Sequence, residues 1–182
     1  MLIAKKKSET NIAEYILYMW QLEDIMRAKG FDKNLINEIL VEPLEVDENK
    51  KVEIRNWYSE FIDKMQSQGI KEKGHLNELN ELLFELNYLH NALLNTIKDE
   101  EYARLYLGAK LSIDALKSKS SSQVKNDIEV CLSGLYGLLL LRLRKQNISK
   151  ETDESMLTFS KMIAYLTAKY HRAQNTGDPS RN

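Results

Sequence analysis

The chain has 182 residues, long enough for one domain with a sizeable apolar core. Hydrophobic residues make up 43% and charged residues 29%, an ordinary balance for a globular protein. With 26 Lys and Arg against 27 Asp and Glu the net charge is −1, which excludes a bulk basic field able to hold nucleic acid or an anionic membrane.

Seven glycines and two prolines are few breakers for such a length, so long helices are expected. A single cysteine, Cys131, excludes an internal disulfide and a cysteine-based zinc site, and suits a reducing cytoplasm. The N-terminal MLIAKKKSE has its apolar residues before its lysines, the reverse of a secretory signal. The apolar block within 131–143 falls short of the ~20 residues that span a bilayer.

The first helix is predicted over 11–30, with Thr10 or Ser8 as its cap and Gly30 as its stop. Ile12, Ile16, Met19, Glu23 and Met26 share one face of it. A short helix follows over 32–41 with Asp32 as cap, and EPLEV breaks it. Asp47 opens the next, which carries Ile54, Trp57, Phe61 and Met65 on one face and stops at Gly69. The cleanest stripe runs over 74–97, where Leu76, Leu79, Leu83, Leu86, His90, Leu93 and Ile97 alternate at spacings of three and four. Asp99 caps a helix over 100–119, and SKSSSQ at 118–123 reads as a loop. A helix over 124–146 follows, then one capped by Ser149 or Thr152 with Met156, Phe159, Ile163, Leu166 and Tyr170 on its buried face. Residues 174–182 read as a disordered polar tail behind a single domain at 1–173. No run alternates with period two, so the fold class is all-α: an up-and-down bundle of five to six main helices with 124–146 as its central apolar helix.

That central helix, CLSGLYGLLLLRLRKQ at 131–146, is apolar nearly all round and so is expected to be surrounded by others. Gly134 and Gly137 within it each cost ~1 kcal/mol relative to alanine. Two readings follow: close packing against a neighbour, with aromatic rings of helix 11–29 as candidates, or a groove for a ligand. Arg142 and Arg144 sit in the last turns, where cations complement the helix dipole.

Three polar residues break apolar stripes: Glu23, Asp24 and His90. A charge on a core face is costly unless paired. The expectation is that Glu23 or Asp24 meets His90 or Arg142, either as a structural cluster fixing helix register or as part of a pocket lined by Tyr15, Trp20, His90, Tyr136 and Arg142. Arg27, four residues after Glu23 and three after Asp24, offers both carboxylates a partner on their own helix.

Enzyme motifs do not match. Ferritin-like dimetal sites need two Glu-x-x-His pairs, and only Glu72-x-x-His75 occurs. His75 and His90 are too far apart on one helix to share a metal, and His171 stands alone. Glu78-x-x-Glu81 lies off the leucine stripe and reads as a solvated face. No phosphate-binding glycine loop is present. Cys131 reads as an inert core thiol. Lysines 5–7, or 50–51 with Arg55, are too few for a nucleic-acid footprint, and Lys117, Lys119, Arg142, Arg144 and Lys145 form a patch only if the fold gathers them.

The strings NIAEYILYMWQLEDIMRAKG, KGHLNEL, LHNALL and CLSGLYGLLLLRLRKQNISKET resemble a small bacterial family of all-helical proteins of unknown function, over roughly 9–171. The resemblance implies an intracellular helical protein and transfers no activity, cofactor or catalytic residue. The expectation is therefore a non-enzymatic cytoplasmic bundle acting through protein–protein interaction, as a homodimer or with another protein. Its docking edge is placed on helix 11–29, where seven of eight residues from Tyr15 to Leu22 are apolar. The alternative is a small-molecule-binding protein, or a cofactor-independent enzyme, built on Glu23, Asp24, His90 and Arg142. No catalytic residue, metal, cofactor or membrane contact is expected, and nucleic acid is disfavoured as a partner.

Overall fold

The computed structural model describes residues 2–119 and 126–176. Among these the elements are α1 (Leu2–Thr10), α2 (Ile12–Ala28), α3 (Lys33–Leu40), α4 (Glu48–Ser67), α5 (Asn77–Asn91), a π-helical turn (Ala92–Thr96), α6 (Glu100–Lys119), α7 (Asp127–Leu143) and α8 (Lys150–Thr176), with no strand. The all-α class holds. The loop expected at 118–123 begins inside α6 and, past Lys119, lies outside the described residues. The expected polar tail likewise lies outside them beyond Thr176, and its first three residues continue α8.

The chain divides into two compact units, one of residues 1–10 and 14–81 and the other of 11–13 and 82–182. In the first, α3 packs on α4, and the buried side chains include Met26, Ile36, Val41, Tyr58, Phe61, Ile62 and Met65. Trp57 lies stacked on Phe61 one turn on, 5.4 Å between centroids. In the second, α8 packs along both α6 and α7, and α6 packs on α7. Tyr102, Ile113, Ile128, Cys131, Leu132, Phe159 and Leu166 are closed off from solvent there.

Local chemistry sets the boundaries. Asp32 accepts the N–H groups of Asn34 and Leu35, Asp47 that of Lys50, Asn126 that of Glu129, and Ser149 that of Thr152. Helix α2 ends in a Schellman motif, with Gly30 N–H on the Arg27 carbonyl, Phe31 N–H on that of Met26, and Gly30 at φ +61°. Its start departs from expectation. Ser8 and Thr10 donate back to the Lys5 and Lys6 carbonyls of α1, and the Ile12 N–H goes instead to Nε2 of His171 at 3.1 Å. Hydroxyls inside a helix end find the preceding carbonyls first.

The leucine stripe of α5 is buried from Leu76 through Leu79, Leu83, Leu86 and His90 to Leu93. It fails at Ile97, which is 60% exposed. The π-helical turn is the reason: Ile97 N–H reaches back five residues to Ala92 at 2.8 Å, and the extra residue rotates everything after it off the stripe.

Helix α7 has no exposed residue before Leu141, and from there to Asn147 every residue is exposed. The two glycines separate. A Cβ on Gly134 would sit 3.1 Å from the Phe159 ring, 3.2 Å from Leu116 and 3.2 Å from Met156, so close packing explains this one. The ring that meets it belongs to α8, correcting the expectation of an aromatic from helix 11–29. A Cβ on Gly137 would meet nothing within 4 Å. Among the described residues no helix is long and apolar enough to cross a membrane.

Candidate functional site

Glu23 is fully buried on α2. Its Oε1 accepts the Leu76 N–H at 2.9 Å, and its Oε2 lies 2.6 Å from Nδ1 of His75. One carboxylate thus holds an N–H at the entry to α5 and orients an imidazole, both from the turn that precedes that helix. The His75 ring stacks on buried Trp20, with centroids 4.5 Å apart and planes 20° off parallel. Arg27 clamps the same turn, donating to the Gly74 carbonyl and, at 3.3 Å, to that of Ile70. Gly74, at φ +94°, supplies the backbone bend that aims its carbonyl there. Arg27 also binds Asp24 at 3.0 Å and lies 3.9 Å from Glu23, as its spacing on the helix predicts.

Glu23, His90 and Arg142 each take partners other than those expected of them. Glu23 spends both oxygens on His75 and Leu76. His90, buried on α5, shares a 2.7 Å hydrogen bond with the Tyr102 hydroxyl and meets the Tyr106 ring edge-on at 5.1 Å. Arg142 is 59% exposed and binds Asp153 at 2.8 Å. A buried carboxylate takes the nearest strong donors, and a backbone N–H with an imidazole from a neighbouring turn satisfies it without a distant cation. Of the remaining candidates, Tyr15 is half-buried and its hydroxyl is pushed up by burial and by Glu78. Tyr136 is half-buried on α7. Tyr15, Trp20, Glu23 and Asp24 belong to the first unit, and His90, Tyr136 and Arg142 to the second.

Around buried His90 the second unit carries a half-buried polar cluster that no spacing in the sequence signals. The Tyr106 hydroxyl donates to Asp127 at 2.6 Å, and Lys117 binds the other oxygen of that carboxylate. Burial alone would raise Asp127, but the Lys117 and Tyr106 hydrogen bonds outweigh it and hold the carboxyl low. Burial pushes His90 below its ordinary value and Tyr102 well above its own, so the pair is neutral. Cys131 is buried beside them and burial raises its thiol far out of the reactive range. At the start of α6, Asp99 accepts the Tyr102 N–H at 3.0 Å and binds Lys169 at 2.7 Å, which holds its carboxyl down at about 2.

Between α6, α7 and α8 an apolar groove of about 390 Å³ runs past Gly137, walled by Leu116, Val130, Leu138, Leu141 and Met156, with Lys119 and Thr152 at its rim. Among the described residues no group of three or more His, Cys, Asp or Glu is placed to hold a metal ion. The basic patch imagined around Lys117 loses that residue to Asp127. Glu78 is half-buried and pairs with Lys64.

Residues 1–177 match the family model described as Domain of unknown function (DUF4924). The chain belongs to this family. No curated protein and no solved structure matches it. The family assigns no role to any residue, so the chemistry of each site is argued from its geometry.

Proposed function

We propose that the protein is a non-enzymatic interaction module that self-associates through the second unit. The observation that carries this is a set of large apolar side chains left in solvent at successive helical turns. Phe84 and Tyr88 on α5 are 71% and 70% exposed, and Leu107 and Leu111 on α6 are 75% and 84% exposed. Each pair is spaced i, i+4, so each makes one continuous stripe on its helix. Contiguous exposed apolar surface of this kind marks docking sites in globular proteins. The edge first expected on helix 11–29 is not available, because no residue from Tyr15 to Leu22 is exposed. An up-and-down arrangement of α6, α7 and α8 would hold these stripes rigid, and a lone buried thiol suits a cytoplasmic setting.

Sedimentation velocity over a wide concentration range tests the reading. The wild type is expected to dimerise, and Leu107→Glu with Leu111→Glu to be monomeric with an unchanged circular dichroism spectrum, since exposed substitutions shift stability by only about 0.5 kcal/mol. A wild type that stays monomeric throughout would overturn self-association.

A second reading rests on Gly137. This glycine weakens the helix by ~1 kcal/mol and no neighbour packs on it. Its missing side chain keeps the α6–α7–α8 groove open, and the volume lies within the range of small-molecule sites. Native mass spectra of the protein from its own host would show an added mass, lost on denaturation and lost in Gly137→Leu.

A further inference from the structure

We propose that Nε2 of His75 is a phosphoryl-acceptor site, held in its nucleophilic tautomer by the buried carboxylate of Glu23. The two other histidines of the chain set the contrast. His90 is buried against Tyr102, and His171 uses its Nε2 to accept the Ile12 N–H. His75 alone combines an engaged Nδ1 with an Nε2 that bonds nothing among the described residues, on a side chain 31% exposed.

The tautomer follows from the acceptor. A carboxylate oxygen 2.6 Å from Nδ1 accepts a hydrogen bond there, so in the neutral ring Nδ1 carries the hydrogen and Nε2 the lone pair. Stacking on Trp20 fixes the ring plane, and the second Glu23 oxygen is locked on the Leu76 N–H, so the carboxylate cannot swing away. This is the arrangement by which a carboxylate orients an imidazole and stabilises positive charge on it. The surroundings favour an anionic electrophile. Lys71 and Lys73, with Glu72 between them, lie exposed in the same turn and leave it a net charge of +1, none of the three forming an ion pair among the described residues.

In the step, the Nε2 lone pair attacks phosphorus of a small donor of the phosphoramidate class. The P–N bond breaks as the leaving amine departs with its electron pair, taking a proton from solvent. The proton stays on Nδ1, hydrogen-bonded to the ionised Glu23, whose negative charge balances the phosphorylated ring. No redox partner is needed. Glu23 is a positioning residue here and touches no substrate.

Glu23→Gln separates this role from helix capping. Its amide oxygen still accepts the Leu76 N–H, but its amide N–H₂ then faces Nδ1 and drives the proton to Nε2. Purified protein is incubated with phosphoramidate and followed by intact mass and by ³¹P NMR. An acid-labile adduct of one phosphoryl group, mapped to His75 and absent in His75→Gln, is expected, with at least a tenfold slower reaction in Glu23→Gln. Long-range ¹H–¹⁵N spectra of the unmodified proteins should show Nδ1 protonated in the wild type and Nε2 protonated in Glu23→Gln, a readout that capping would not move. No adduct, an adduct on another histidine, an undiminished rate in Glu23→Gln, or Nε2 protonated in the wild type would each overturn the proposal. Should Glu23→Gln fail to fold, the wild-type spectrum and the adduct map decide alone. Dimerisation through α5 and α6 stands or falls separately, because neither Phe84 nor Leu111 enters these measurements.

Discussion

His75 and His90 sit at opposite ends of α5, one in the turn before it and one a single residue from its close, and their settings are opposites. His75 rests on a buried carboxylate and turns its free nitrogen outward. His90 is enclosed, bonded to a neutral hydroxyl, and edged by a second tyrosine. The same side chain is thus bonded to a carboxylate and partly accessible in one unit, bonded to a neutral hydroxyl and sealed in the other. The first setting prepares an imidazole for chemistry. The second removes it from chemistry and uses it to satisfy a buried phenol.

The comparison breaks most severely if Glu23 is removed. Glu23→Ala strips the Leu76 N–H and His75 of their acceptor at once, and a loss of about 3 kcal/mol in urea unfolding is expected, near the lower end for breaking a buried charged contact. A loss below 1 kcal/mol would mean that water replaces the carboxylate readily.

His90→Leu should cost about 2 kcal/mol, because the Tyr102 hydroxyl is left buried without its partner. The pH dependence sharpens the contrast further. His90 is held below its ordinary value of 6.5, so as pH falls past that value the unfolded chain takes up the proton first. Stability therefore declines from there downward, and the His90→Leu variant should lack that part of the decline in thermal melts across the same range.

Asp99 offers a second carboxylate at a helix entry, but beside a lysine. Asp99→Ala should cost about 1 kcal/mol, typical of a lost cap. With its carboxyl held at about 2, its contribution is present above the ordinary carboxylate value of 3.8 and is lost as pH falls from there toward 2, which acid titration of the wild type and variant would resolve. The smallest effects belong to the glycines of α7. Gly137→Ala should stabilise by up to about 1 kcal/mol, since the added methyl meets nothing. Gly134→Ala should destabilise, because Phe159, Leu116 and Met156 must all give way.

Much of the fold was legible because it is local. Asp32, Asp47, Asp99 and Ser149 cap the helices that follow them, and Gly30 and Gly69 take up the positive φ that ends α2 and α4. These signals act over three or four residues, the distance over which sequence spacing fixes geometry. The burial of Glu23 and His90 was legible for the same reason, as polar interruptions of apolar stripes. Their partners were not. Spacing shows that a carboxylate faces inward and is silent on which donor, some 50 residues away, closes on it. His75 gave only one clue, its place between a glycine and the first turn of a helix, where the chain is free to send a side chain back onto a neighbour. The ring over Gly134 was sought on helix 11–29 because aromatics are dense there, whereas α8 holds the position.

The π-helical turn at Ala92–Thr96 has a consequence for how α5 and α6 tolerate change in chain length. An inserted residue is already stored there, coiled into the helix rather than looped out. Deleting one residue from this turn would remove the stored residue and let the segment relax to ordinary α-helical winding, so that everything after it keeps its angular place. Ile97 would stay off the leucine stripe, and Asp99 would keep its place beside Lys169 and Tyr165. The turn therefore acts as a length buffer between two helices: it takes up one residue of chain while the stripe of α5 and the cap of α6 keep their facings.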